Sequence, residues 1–153
     1  MSNFPVTTVV HFAALTDPGQ TRSHNEDSLL CCPSLGLWAV ADGMGGHQRG
    51  EVASALAVQT LREQVEQGAA LSAAVLSAHA AILAAGAHDS ASRGMGTTLV
   101  AVQMHDSEFT LAWVGDSRAY RISAAQIEPL SSDHSWVQSM VDAGEMSGEE
   151  ARN

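Results

Sequence analysis

The spacing of apolar and polar positions changes period several times along the chain, and each change predicts an element. Val6–Leu15 is rich in β-branched and apolar residues and predicts a first strand, closed by the turn-forming Asp17, Pro18 and Gly19. A loop carrying Arg22 to Asp27 follows. Ser28–Cys32 and Gly36–Ala41 predict two further strands separated by Pro33 and Ser34, with Asp42 delivered at the end of the second. From about Gln48 the period becomes helical, placing Val52, Ala55, Val58, Leu61 and Val65 on one face until Gly68. Leu71, Val75, Ala78, Ile82 and Ala85 form the stripe of a second helix. The small, alanine-rich faces of both suit an antiparallel pair lying on a sheet.

Strand patterning returns over Thr97–Met104, turns at His105, Asp106 and Ser107, and continues through alternating Phe109, Leu111 and Trp113. A turn at Gly115, Asp116 and Ser117 leads into Arg118–Ile122. Strands, two helices and then a meander predict an α+β fold rather than repeated βαβ units. A short helix is expected over His134–Asp142, and Ser147 with Glu150 is a capping-box signal three residues before the chain stops. Because a helix needs several turns to persist, that signal predicts a domain incomplete at its C-terminal side.

Length then limits the picture to one domain, since 153 residues bury roughly 70% of the unfolded surface in a single core. Seventeen acids face seven basic residues, all arginine, for a net charge of −10. That balance argues against nucleic acid or an anionic lipid surface as a partner and suits the gathering of divalent cations. Leu71–Ala87 is apolar, but Ser72, Ser77 and His79 interrupt it and alanine dominates, so a buried helix is expected and no membrane insertion. The N-terminus has no basic region ahead of an apolar core, which reads as no signal peptide and a mature start at Met1. The only cysteines, Cys31 and Cys32, are adjacent, so they predict strand packing in a reducing, cytoplasmic setting.

The candidate chemistry lies where strands meet loops: Glu26 and Asp27 beside Arg22, Asp42 with Gly43, and Asp116 in its turn. Mg²⁺ and Mn²⁺ prefer carboxylate, carbonyl and water oxygens, and glycine lets a backbone carbonyl approach an ion. Asp42 and the Gly43 carbonyl can therefore share one centre. A guanidinium near carboxylates suits a phosphate, which arginine grips through parallel hydrogen bonds, although Arg22 is also placed for a salt bridge to Glu26 or Asp27. The reaction these groups suggest is metal-assisted phosphoester hydrolysis, in which paired ions activate a water without a cysteine or serine nucleophile. His47 could protonate a leaving alkoxide, or support the site from behind.

Five ordered motifs carry a resemblance. Arg22, Ser23, His24, Asn25, Glu26 and Asp27; Asp42, Gly43, Met44, Gly45, Gly46 and His47; Gly94 to Thr98; Val114 to Arg118; and Asp133, His134 and Ser135 together resemble the bacterial form of the PPM family. These are type 2C, metal-dependent Ser/Thr protein phosphatases. The resemblance implies a two-sheet β-sandwich flanked by antiparallel helix pairs, with two Mn²⁺ or Mg²⁺ ions between the sheets at one end. It assigns the metals to the Asp42 carboxylate and Gly43 carbonyl, with Glu26 and Asp27 on the second ion directly or through water. Asp116 would hold a third, weaker ion, and Arg22 the substrate phosphate. The general-acid histidine of eukaryotic relatives falls at Met44, as in other bacterial members, while Gly94, Gly96, Thr97 and Thr98 would serve tight strand packing.

The same resemblance places two further metal-binding aspartates beyond Asn153, so these residues are expected to form an N-terminal part with impaired or absent turnover. The implied partners are phosphoserine and phosphothreonine proteins and a cognate bacterial kinase. A non-catalytic phosphatase-like binding module is the alternative function, and a metal-binding structural protein a third, which leaves Arg22 beside the acids unexplained.

Overall fold

A computed structural model describes residues 10–45, 49–88 and 94–134. Its elements are β1 (Asp27–Cys32), a short 3₁₀ turn (Pro33–Leu35), β2 (Leu37–Met44), α1 (Arg49–Glu66), α2 (Leu71–His88), β3 (Gly96–Thr97), β4 (Leu99–His105), β5 (Glu108–Val114), β6 (Tyr120–Ile122) and β7 (Ile127–Pro129). Strands β1, β2, β4 and β5 lie side by side in that order, β3 joins the end of β2, and β6 pairs with β7 as a separate ribbon. Every pairing is antiparallel. The α+β class expected from the order of elements is what the chain adopts.

Alternation along β2 sets up two faces. Leu37, Ala39 and Ala41 are buried towards the helices and meet Leu61 and Val65 of α1, Leu71 and Ala74 of α2, and Leu99 and Ala101 of β4 in one core. Each large aliphatic side chain withdrawn from water there contributes about 1.5–3 kcal/mol before entropy is counted. The intervening positions, Trp38, Val40 and Asp42, point to the opposite face, where Leu29, Cys31, Val100, Val102 and Leu111 continue an apolar floor.

The helical hairpin forms where it is expected, but the second helix is covered on one side only: Leu71, Ala74 and Ala78 are buried while Leu76 and Leu83 are exposed, so it is not the buried helix its apolar sequence predicts. The first helix is rotated relative to expectation: Gly50, Ala53, Ser54, Ala57, Leu61 and Val65 are buried, while Val52 is exposed. Small residues win the inner face because α1 lies close against the Ala and Gly positions of β2, and a valine stripe would hold it away. Two bonds, from Gly68 N–H to Val65 O at 3.0 Å and from Ala69 N–H to Gln64 O at 2.9 Å, close this helix in a Schellman motif.

Other boundaries move for identifiable reasons. Residues 10–15 form no strand, because they find no ladder partner; instead Ala13, Ala14 and Leu15 lie over the apolar floor and the Phe12 and Trp38 rings meet at 5.9 Å. β2 runs two residues past Asp42 because β3 pairs with Gly43 and Met44. The expected Thr97–Met104 strand is interrupted at Thr98, and the strand expected from Arg118 begins at Tyr120. The helix predicted over His134–Asp142 lies outside the described residues, except for His134, which is not helical.

Candidate functional site

Register brings the first two acids together. Asp27 and Asp42 are directly paired across β1 and β2, so their side chains emerge side by side on the face away from the helices. The Asp42 carboxyl is held above its ordinary value, first by partial loss of hydration and then by the neighbouring charges of Asp27 and Asp116, with Arg22 acting the other way. A hydrogen-bonding contact with Asp27 also favours a proton on Asp42. Two of the acids singled out from the sequence, Asp27 and Asp116, thus act electrostatically on a third, Asp42, and the arginine lies within range.

Glu26 sits on the rim with a different environment. Its side chain is largely buried, and Arg22 Nη1 lies 3.4 Å from Glu26 Oε2 while remaining mostly exposed. The salt bridge considered for Arg22 is therefore present, and the exposed guanidinium keeps donors available to solvent. The Glu26 carbonyl accepts from Gly43 N–H at 3.1 Å and from Ser54 Oγ at 2.6 Å. Ser54 is fully buried on α1, and with its proton directed to Glu26 it accepts from Ser28 Oγ at 2.9 Å.

Gly43 is more than a flexible joint. A Cβ added there would lie 2.0 Å from the Gly50 carbonyl oxygen and 2.6 Å from that of Glu26, so the start of α1 and the end of β2 touch backbone to backbone. A Cβ on Gly50 would in turn meet the Glu26 carboxylate at 2.8 Å. The glycines of this stretch were visible in the sequence; the partnership between positions 43 and 50 was not, because nothing local signals a contact between a strand and the following helix.

The Gly94 to Thr98 motif also has a role beyond packing. Thr98 N–H donates to Asp42 O at 2.9 Å, while Asp42 N–H donates to Thr98 Oγ1 at 3.1 Å. Thr98 Oγ1 is 2.6 Å from Ser117 Oγ, in the turn that carries Asp116. Gly115, at φ 96°, starts that turn, and a Cβ on it would come within 2.8 Å of the Thr98 methyl group. The far side of the loop is closed by a bidentate Arg118–Asp133 pair at 2.8 and 2.6 Å, by His134 N–H donating to Gly115 O at 2.8 Å, and by stacking of Trp113 on His134.

Asp27, Asp42, Asp116 and Arg22 therefore share one neighbourhood, Glu26 faces it through Arg22, and Gly43 lies beneath it. His47 lies outside the described residues. Among the described residues no three His, Cys, Asp or Glu side chains converge into a ready metal cage. The donor chemistry nevertheless fits a hard divalent ion: carboxylate oxygens predominate, and mutual repulsion at Asp42 is the penalty a cation would relieve.

Comparisons with known proteins identify the family of the fold that carries this arrangement. Residues 19–149 match the family model for protein phosphatase 2C. The chain is 39% identical to the serine/threonine protein phosphatase PstP of Mycobacterium tuberculosis over 97% of its own length and 30% of that protein's. It is 36% identical to the serine/threonine phosphatase stp of Listeria welshimeri over 94% of its length and 62% of the relative's. The crystal structure of the PstP catalytic domain in complex with two manganese ions superposes with a TM-score of 0.79 at 37% identity, covering 91% of this chain and 62% of that one. The chain thus spans less than two thirds of these relatives, and within that span motif order, fold and family model agree that it belongs to the PPM family, the type 2C protein phosphatases, in its bacterial form.

Proposed function

We propose that this chain supplies the substrate-facing half of a metal-dependent protein serine/threonine phosphatase, acting on phosphoserine and phosphothreonine proteins opposite a cognate kinase in the bacterial cytoplasm. The observation that carries this reading is the in-register Asp27 and Asp42 pair, with Asp116 near enough for its negative charge to oppose ionisation of Asp42. Asp42, the Gly43 carbonyl, Glu26, Asp27 and Asp116 would hold Mn²⁺ or Mg²⁺, two ions in the first instance and a third at Asp116. When bound, such ions supply an activated water and neutralise phosphate charge. Arg22, fixed at its base by Glu26 and open at its tip, would orient the phosphate. His47 is the proposed proton donor to the departing alkoxide. The free thiols of Cys31 and Cys32 support a reducing location.

Because this span alone is expected to turn over poorly, the test is release of phosphate from a phosphothreonine peptide, with Mn²⁺, by the chain joined to the remaining length of a relative such as the Listeria phosphatase, beside Asp42→Ala and a chelated control. Turnover that needs Mn²⁺ and disappears in Asp42→Ala supports the proposal, and turnover that survives either change overturns it. A second reading, a phosphatase-like module that binds phosphoproteins without hydrolysing them, is favoured by the exposed Arg22 guanidinium, which can grip a phosphate without a metal. Saturable, Arg22-dependent peptide binding without turnover would select it.

A further inference from the structure

We infer that Thr98 is the positioning residue that fixes the Asp42 strand end and the Asp116 turn to each other. The inference rests on the proposed metal site for its functional consequence, but its geometry stands without it. Thr98 is the break between β3 and β4, so it is free of a regular strand ladder and can turn both backbone and side chain to other uses. Its N–H and Oγ1 make a reciprocal pair with the Asp42 carbonyl and N–H, which fixes the peptide on both sides of the Asp42 side chain. With Oγ1 accepting from Asp42, the Thr98 proton is available to Ser117 Oγ at 2.6 Å, next to Asp116. The Thr98 methyl meets the same turn at Gly115, where any side chain would collide with it. One residue therefore uses a donor, an acceptor and an apolar group to fix two acids that are 74 positions apart in sequence.

Thr97 supplies the control. Its hydroxyl donates to Asp42 O at 3.0 Å and lies 2.9 Å from Thr98 O, but makes no bond to the Asp116 turn. If the link matters, Thr98→Val removes it, Thr98→Ser retains the hydroxyl and rescues, and Thr97→Val changes little.

The experiment measures two quantities on the 153-residue chain and these variants: amide exchange protection, without metal, at Asp42 and at His134, whose N–H donates to Gly115 O in the Asp116 turn, and Mn²⁺ affinity by titration calorimetry. Thr98→Val is expected to lose protection at both amides and to weaken Mn²⁺ binding about 10-fold to 100-fold, the range for removing a group that orients a metal ligand. Thr98→Ser is expected to stay within about twofold of the parent on the same scale. Unchanged protection in Thr98→Val, or equal losses in Thr98→Ser and Thr97→Val, would overturn the inference. A parent chain that binds no Mn²⁺ but loses protection in Thr98→Val would leave the positioning role standing and remove the metal reading instead.

Discussion

Gly43 and Gly50 meet backbone to backbone, with no space for a side chain on either. A Cβ on Gly43 would stand 2.0 Å from the Gly50 carbonyl oxygen, and that oxygen is not the movable end of a side chain. Gly43→Ala must therefore push α1 off the strand it covers. The expected cost is about 3 kcal/mol or more, read as a lowered urea midpoint. Gly68→Ala makes a useful contrast, since its Cβ would meet nothing, and its cost should come only from the backbone conformation at φ 88°. Equal losses in the two variants would contradict the close-approach argument.

Ser54 joins α1 to the Glu26 segment from within the core. Ser54→Ala leaves Ser28 Oγ without its acceptor and Glu26 O with only the Gly43 bond, which should cost about 1–3 kcal/mol in urea unfolding. Mn²⁺ affinity should fall with it, because Glu26 loses a fixed point. A stable variant with unaltered Mn²⁺ binding would show that Glu26 needs no such support.

The charge on Asp42 gives a pH dependence of defined sign. Its folded-state pKa is raised above the ordinary aspartate value, by burial first and by Asp27 and Asp116 next, so ionisation opposes folding when no cation is present. That penalty is full at neutral pH and is relieved as pH falls through the raised value. Asp42→Asn should therefore raise the melting temperature of the metal-free chain slightly at pH 7 and not at pH 3, while removing stabilisation by added Mn²⁺. Calorimetry with chelator and with Mn²⁺ checks both halves, and a lower melting temperature for metal-free Asp42→Asn at pH 7 would count against the charge argument.

Arg22 separates stability from function. Its bridge to Glu26 is long and its side chain 73% exposed, so Arg22→Ala should change folding free energy by no more than about 0.5 kcal/mol. Phosphothreonine-peptide binding should weaken about tenfold or more, as expected for loss of a charge-assisted bidentate contact. Fluorescence titration of a labelled peptide reads this directly, and equal affinity in parent and variant would take the phosphate role away from Arg22.

The sequence made the acids legible because each stands at a change of pattern: Asp42 ends an apolar alternation, Glu26 and Asp27 precede one, and Asp116 sits in a Gly-initiated turn. The helices were legible in extent, yet the phase of α1 was not, because larger apolar residues such as Val52 look like core while the close contact with β2 selects Ala53, Ser54 and Ala57. Val10 to Leu15 has strand-like composition without a strand, since pairing depends on a neighbour that composition does not reveal. Thr98 and Ser54 were least legible of all. Their importance lies in hydrogen bonds to residues far along the chain, and no local period records those.

The pairing of Asp27 with Asp42 has a consequence for how the chain folds. Side chains on a strand alternate faces, so a slip of β1 against β2 by a single residue would set Ser28 opposite Asp42 and disrupt the facing of the whole pair. An acid would then be pressed towards Leu61 and the alanines of the core, and its counterpart would be left alone. The negative charges that gather at this edge therefore also discriminate against misaligned sheets: the chain reaches its candidate ion site only through the one alignment in which its apolar residues are covered as well.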